Sequence, residues 1–256
     1  MFKNAIVRPP GKNFAQGLST AGLGAPDYER ALEQHARYCS ALRECGLAVT
    51  MLQGDLRFPD STFVEDTAVL TPRGAVLARP GAESRQGEIA TIRPEISRFF
   101  LTPLEIKPPG TLDGGDICEA GDHFFLGLSQ RTNEEGARQL AAHLAGMGYT
   151  SSVVDVRGMV GILHLKSGIA SIGDNTLVVM EQMASSDLFR GYKLVPVAGN
   201  ESYAANCVRV NDRVLVAAGY PRLTAELEAR GFHPLILEMQ EFQKMDGGLS
   251  CLSLRF

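Results

Sequence analysis

Lys244-Met245-Asp246-Gly247-Gly248-Leu249-Ser250-Cys251-Leu252-Ser253-Leu254-Arg255-Phe256 is the stretch whose pairing decides the fold. A charged, glycine-bearing turn at Asp246-Gly247-Gly248 leads into Cys251–Phe256, where apolar and polar residues alternate as in a strand. Near the other terminus, Ala5-Ile6-Val7 is a short apolar strand ended by Pro9-Pro10, with no hairpin partner beside it. Pairing the first strand with the last would close a ring and leave no open sheet edge. The glycines before Cys251 let the backbone approach a ligand closely or take up positive φ. The strand is then expected to hold the sulfur rigidly, as a nucleophile requires. Alone, a free cysteine is more often a small buried hydrophobe, so Cys251 has to be weighed with the rest of the chain.

Between those two strands one order recurs. Asp27 opens a helix whose face carries Tyr28, Ala31, Leu32, His35, Tyr38 and Leu42; Gly46 stops it, and Leu47–Leu52 follows as a strand. Hairpins are predicted at Pro72-Arg73-Gly74, Gly121-Asp122, Gly173-Asp174-Asn175 and Asn211-Asp212. Helical patterns follow them at Ser84–Phe99 (interrupted by Pro94), Asn133–Met147, Glu181–Phe189 and Pro221–Arg230. Strands come next, at Leu104–Ile106, Ser152–Val156, Lys193–Val197 and Pro234–Leu237. Five helices in five units of about 50 residues is the repeat length of propellers and arrays. The expectation is an α/β chain of ββαβ-type units forming a single domain, residues 1–256, with Gly11–Pro26 as a loop long enough to move.

Composition narrows the function. The 256 residues are 45% hydrophobic and 21% charged, with a net charge of −4, which gives no electrostatic reason to expect nucleic acid. No apolar run approaches the roughly 18 residues that span a bilayer, so no membrane partner is expected. Met1-Phe2-Lys3-Asn4-Ala5 lacks the core of a signal peptide, and a cytoplasmic location is the expectation. Five cysteines and five histidines are scattered without CxxC or HxxxH pairs, which speaks against a disulfide framework or structural zinc.

Several segments carry candidate chemistry. Phe58–Asp66 (FPDSTFVED) packs Asp60, Glu65 and Asp66 with Phe58 and Phe63. Such residues could be ordinary turn chemistry, yet carboxylate forks with an aromatic face also suit a flat cation such as guanidinium. Thr111–Ile117 sets Asp113 and Asp116 on either side of two glycines. Gly161–Gly168 holds a lone histidine, His164, among apolar residues, where a core role is the commoner one. Arg85 and Arg131 lie near glycine-marked loops, as many surface arginines do.

Together these segments resemble the dimethylarginine dimethylaminohydrolases, members of the guanidino-modifying (pentein) superfamily with its fivefold pseudo-symmetric α/β propeller. The motifs are FPDSTFVED, RPGAESR (Arg79–Arg85), TLDGGD, LSQRTNEEGA (Leu128–Ala137), LHLKS, YAANC (Tyr203–Cys207) and DGGLSC. The resemblance runs from Ile6 to Phe256. It implies that Cys251 is the nucleophile, His164 the general acid and base, and Asp113 the carboxylate orienting the histidine, where some relatives have Glu. It makes Asp66 the main guanidinium anchor, with Glu65 beside it and Asp60 at the distant polar end of the substrate. Arg85 and Arg131 fall where the family holds the α-carboxylate, Leu18 on its mobile lid, and Met245 where a backbone carbonyl meets substrate. Phe63 and aliphatic neighbours could give apolar room for a methylated nitrogen.

The implied reaction takes a small-molecule methylated arginine and water to L-citrulline and the methylated amine, with no metal or organic cofactor. A homodimer is compatible with the sequence. Two alternatives stay open: a related hydrolase acting on free arginine or citrulline, and a catalytically silent binding protein on the same scaffold.

Overall fold

The computed structural model describes every residue, Met1–Phe256. In chain order the elements are β1 (Asn4–Val7), α1 (Tyr28–Glu44) and β2 (Ala48–Met51); β3 (Ala68–Thr71), β4 (Gly74–Leu77), α2 (Glu88–Phe99) and β5 (Leu104–Glu105). Next come β6 (Ile117–Ala120), β7 (His123–Leu128), α3 (Glu134–Gly146) and β8 (Thr150–Asp155), then β9 (Ile169–Ser171), β10 (Thr176–Met180) and β11 (Lys193–Val197). The last are β12 (Val208–Val210), β13 (Arg213–Ala217), α4 (Pro221–Ala229), β14 (His233–Leu237), α5 (Gln240–Gln243) and β15 (Leu254–Arg255).

The strands form five three-stranded sheets of one design. A hairpin supplies an antiparallel pair, and its second strand, in the middle, pairs in parallel with the strand that follows. The sheet holding the first strand obeys the same rule only because β15 supplies the missing antiparallel edge. Ala5 lies opposite Arg255 and Ile6 opposite Leu254, while β2 pairs with β1 in parallel. The expected meeting of first and last strands is therefore observed. Middle strands are nearly all apolar and buried, as in Thr176-Leu177-Val178-Val179-Met180, because both faces of a central strand are covered.

Local signals place the helices. The Asp27 side chain accepts from Arg30 N at 3.0 Å and caps α1, and Gly46, at φ 89°, turns the chain out of it. Asn133 caps α3 through Gly136 N at 2.8 Å. Three expectations are corrected. Pro94 lies inside α2 without ending it, and that helix starts only at Glu88, after a 3₁₀ turn at Glu83–Arg85. Glu181–Phe189 is not an α-helix but two 3₁₀ turns, Glu181–Met183 and Asp187–Phe189. Its two serines and aspartate favour caps over helix interior, and Ser186 Oγ indeed accepts from Leu188 N. Cys251, expected to begin a strand, sits on the 3₁₀ turn Ser250–Leu252 just before β15.

Contacts group the residues into two compact units: Met1–Val64 with Gly168–Phe256, and Glu65–Ser167. The first has a core that includes Phe14, Tyr38, Leu42, Phe63, Phe242 and Leu252. The second is built on Leu112, Phe124, Leu126, Leu140 and Leu144. No helix is long and apolar enough to cross a membrane.

Candidate active site

In the unit Glu65–Ser167, the LHLKS and TLDGGD segments fold as 3₁₀ turns, Leu165–Ser167 and Gly114–Asp116, and bring His164 to Asp113. His164 Nε2 lies 3.0 Å from Asp113 Oδ2, and Gly81 N donates to the other carboxylate oxygen at 2.9 Å. Asp113 is wholly buried and His164 only 8% exposed. Burial alone would pull the imidazolium down, but the charges of Asp66, Asp116 and Asp113 outweigh it and raise the His164 pKa to about 9. The histidine is thus held protonated at neutral pH, unlike the neutral core histidine that an isolated reading allows. His35, on α1, is such a core histidine: burial lowers its pKa to about 4.

Asp66 is the next wall. Its Oδ1 accepts from Gly115 N at 2.8 Å, and its Oδ2 lies 2.5 Å from Arg85 Nη1. Burial opposes its ionisation; His164 and Arg85 more than compensate, and its pKa falls to about 2. Arg85 forks onto Glu88, with Nε to Oε1 at 3.0 Å and Nη2 to Oε2 at 2.9 Å. The second glycine of TLDGGD is required by this crowding. A Cβ on Gly115 would lie 2.8 Å from Asp66 Oδ1 and 2.9 Å from His164 Cγ. Glu65, also buried, is met by Lys166 Nζ at 2.5 Å. Arg131 is half-buried; its backbone N donates to Ser129 Oγ at 2.9 Å.

Asp66, Asp113 and His164 offer ligand atoms within 4.8 Å of one another, close enough to hold a cation. The protonated imidazole and Arg85 already bring positive charge to those carboxylates, which makes the set poor as a metal site.

The other unit carries the thiol. Cys251 is partly exposed, whereas Cys39, Cys45, Cys118 and Cys207 are buried. Its Sγ accepts from Gly248 N at 3.4 Å, and its own N–H donates to Gly248 O at 3.2 Å. YAANC grips this turn: Tyr203 donates its hydroxyl to Gly247 O at 2.8 Å, Asn206 Oδ1 accepts from Ser250 N at 2.9 Å, and Asn206 Nδ2 donates to Ser250 Oγ at 3.0 Å. A Cβ on Gly247 would strike the Phe63 ring. Phe63 itself is buried, edge-on to Phe14 at 5.9 Å between ring centroids, and Met245 is buried too.

The loop bearing Leu18 is fastened in place. Leu18 N donates to both oxygens of Asp60, at 3.0 and 3.2 Å. Ser19 Oγ donates to Lys244 O at 2.7 Å and Thr20 N to Asp246 Oδ2 at 2.5 Å. The Leu18 side chain is 42% exposed. Sequence reasoning missed Lys166, Tyr203, Asn206 and Asp246 as parts of these arrangements. Three of them lie within the quoted motifs LHLKS and YAANC, and the fourth in DGGLSC, so the signal was at hand.

An arginine deiminase family model matches residues 57–209. An N(G),N(G)-dimethylarginine dimethylaminohydrolase of Pseudomonas aeruginosa is 45% identical over 257 residues, covering 100% of both chains. The crystal structure of DDAH from Pseudomonas aeruginosa, a cysteine-to-serine variant complexed with citrulline, matches with a TM-score of 0.97 at 44% identity over 100% of both chains. A histidine-to-glycine variant of a dimethylarginine dimethylaminohydrolase, in adduct with S-methyl-L-thiocitrulline, matches at 0.96 and 44% over the same spans. The fivefold α/β pentein fold expected from the sequence is thereby shared with solved structures.

Proposed function

This chain belongs to the arginine deiminase family and, within it, to the dimethylarginine dimethylaminohydrolases, and from that premise we propose its reaction and the residues that carry it. The enzyme hydrolyses Nω,Nω-dimethyl-L-arginine or Nω-monomethyl-L-arginine to L-citrulline and dimethylamine or methylamine. The observation that carries the reading is the buried His164–Asp113 couple, in a chain whose partly exposed cysteine is Cys251.

Asp66 and Glu65 hold the guanidinium as a cation; Asp66 stays ionised beside Arg85, and Glu65 is paired with Lys166. Asp60 takes the polar end of the substrate near Leu18, while Arg85 and Arg131 supply positive charge for the α-carboxylate and the Met245 carbonyl an acceptor. The Cys251 thiolate attacks the guanidinium carbon, forming an S–C bond and a tetrahedral adduct. His164, protonated at rest, gives its proton to the substituted nitrogen, and the C–N bond breaks with release of the amine. The S-alkylthiouronium that results meets water. Now neutral, His164 takes a proton from that water as its oxygen bonds to carbon. The C–S bond breaks to return the Cys251 thiolate, the remaining hydroxyl proton passes to solvent or the released amine, and citrulline leaves. Asp113 keeps the ring in one orientation and stabilises its cation, the role of the third member of a triad.

No step of this scheme requires a cofactor. The same reading places both units in one catalytic domain and the enzyme in the cytoplasm, acting on a free amino acid. Acid quench during turnover followed by peptide mapping tests it: the adduct belongs on Cys251, and an adduct on Cys118 or Cys207 would refute the assignment.

A further inference from the structure

Asp116, the last residue of TLDGGD, is fully buried, and its hydrogen bonds come from Ser129, Thr132 and Leu165. Oδ2 accepts from Ser129 Oγ at 2.7 Å and from Thr132 Oγ1 at 2.6 Å; Oδ1 accepts from Leu165 N at 2.9 Å. The other contacts of Ser129 fix the direction of its bond. Ser129 Oγ already accepts from Arg131 N and Thr132 N, at 2.9 and 3.1 Å, and Thr132 Oγ1 accepts from Asp113 N at 3.1 Å. With both Ser129 lone pairs occupied, its proton is committed to Asp116, which accepts all three of its bonds as an ionised carboxylate does, while burial pushes its pKa up. Gly127 on β7 makes room for it: a Cβ there would lie 2.9 Å from Asp116 Oδ1 and 2.7 Å from Leu165 Cβ.

We infer that Asp116 is a positioning residue for the reaction, holding the peptide N–H that follows His164 and the hydroxyl that holds Asp113. Through those two contacts one buried carboxylate sets the spacing of the acid–base couple from both sides. Its charge, unmatched by any basic side chain among its bonding partners, also favours the imidazolium. The inference rests on His164 being the acid and base of the proposed reaction. The charged groups bearing on His164 are Asp66, Asp113 and Asp116, with Arg85 behind Asp66.

Asp116→Asn keeps the shape and the acceptor for Leu165 N but removes the charge. NMR titration of histidine-labelled protein, with His164→Asn to assign the resonance, should show the His164 pKa lowered by about one unit. With asymmetric dimethylarginine, kcat should fall about tenfold with KM little changed, and the alkaline limb of the kcat profile should move to lower pH with the NMR value. Thr132→Val, which leaves the Asp116 charge but loosens Asp113, should lower kcat while leaving the His164 titration near that of the parent. The titration needs no turnover, so it reports on Asp116 even if the substrate reading fails. A folded Asp116→Asn protein with the parent's His164 titration and kcat would overturn the inference. So would Thr132→Val with the parent's kcat, should Asp116→Asn not fold.

Discussion

His164 Nε2 sits 3.0 Å from Asp113 Oδ2, and the pair is buried among further carboxylates that hold the imidazole protonated to about pH 9. In the unfolded chain the same group would titrate near 6.5. The stabilisation it brings is complete below that pH and is lost as pH rises through about 9. Thermal melts across this window should show Tm falling by several degrees in the native protein. In Asp113→Asn the decline should be smaller. Parallel curves for the two proteins would mean that the pair does not govern alkaline stability.

Cys251→Ser should abolish turnover and leave the melting curve near that of the parent, since the side chain lies partly exposed on its turn. His164→Asn should lower kcat by about 10²–10⁴-fold, the range typical of lost acid–base catalysis. Because water activation is lost as well, a thiouronium adduct should accumulate and be visible by intact-mass spectrometry. Normal turnover with only a lower Tm would make His164 structural.

Lys166 Nζ lies 2.5 Å from Glu65 Oε1, with both side chains largely buried. Lys166→Met takes the ammonium from beside a buried carboxylate, and breaking such pairs costs about 3–5 kcal/mol. Chemical denaturation should show a loss of that order, and KM for methylarginine should rise. Lys166→Arg should recover most of both. If Lys166→Met matched the parent in stability and KM, the pair would be incidental.

The contacts of the Leu18 loop give a separate test. Leu18→Gly should raise KM severalfold with little change in Tm, because the side chain is exposed while its backbone holds Asp60. Thr20 and Asp246 join the same loop to the cysteine turn. Hydrogen exchange at residues 17–21 should slow when a substrate analogue is added. Equal protection with and without the analogue would count against a lid.

The fivefold order was legible because each unit is marked by local chemistry: a hairpin turn, a capped amphipathic helix and a short apolar strand. The pairing of β15 with β1 followed from the one strand lacking a partner. Glu181–Phe189 misled because its apolar spacing suits a helix, whereas its serines and aspartate prefer turns. Cys251 was placed one turn too early in the strand, since alternation cannot reveal that the Cys251 N–H bonds back to Gly248 O. The acids of FPDSTFVED and TLDGGD stood out in the sequence, but not their partners. Asp116 meets Ser129, Thr132 and Leu165 across 13, 16 and 49 positions, and only the folded chain brings these together.

The substrate itself is the central claim, and the leaving group tests it most directly. An enzyme for free arginine needs acceptors for both protons of the departing nitrogen, whereas one for methylated arginine needs apolar room there. An unpaired buried acceptor costs about 1–3 kcal/mol, so apolar room at that nitrogen would discriminate by roughly one to two decades. The measurement is kcat/KM for purified protein with asymmetric dimethylarginine, monomethylarginine, symmetric dimethylarginine and arginine, following citrulline and the released amine by mass spectrometry. Asymmetric dimethylarginine and monomethylarginine should exceed arginine by at least roughly tenfold, with symmetric dimethylarginine poor. Faster release of ammonia from arginine than of dimethylamine from asymmetric dimethylarginine would contradict the account.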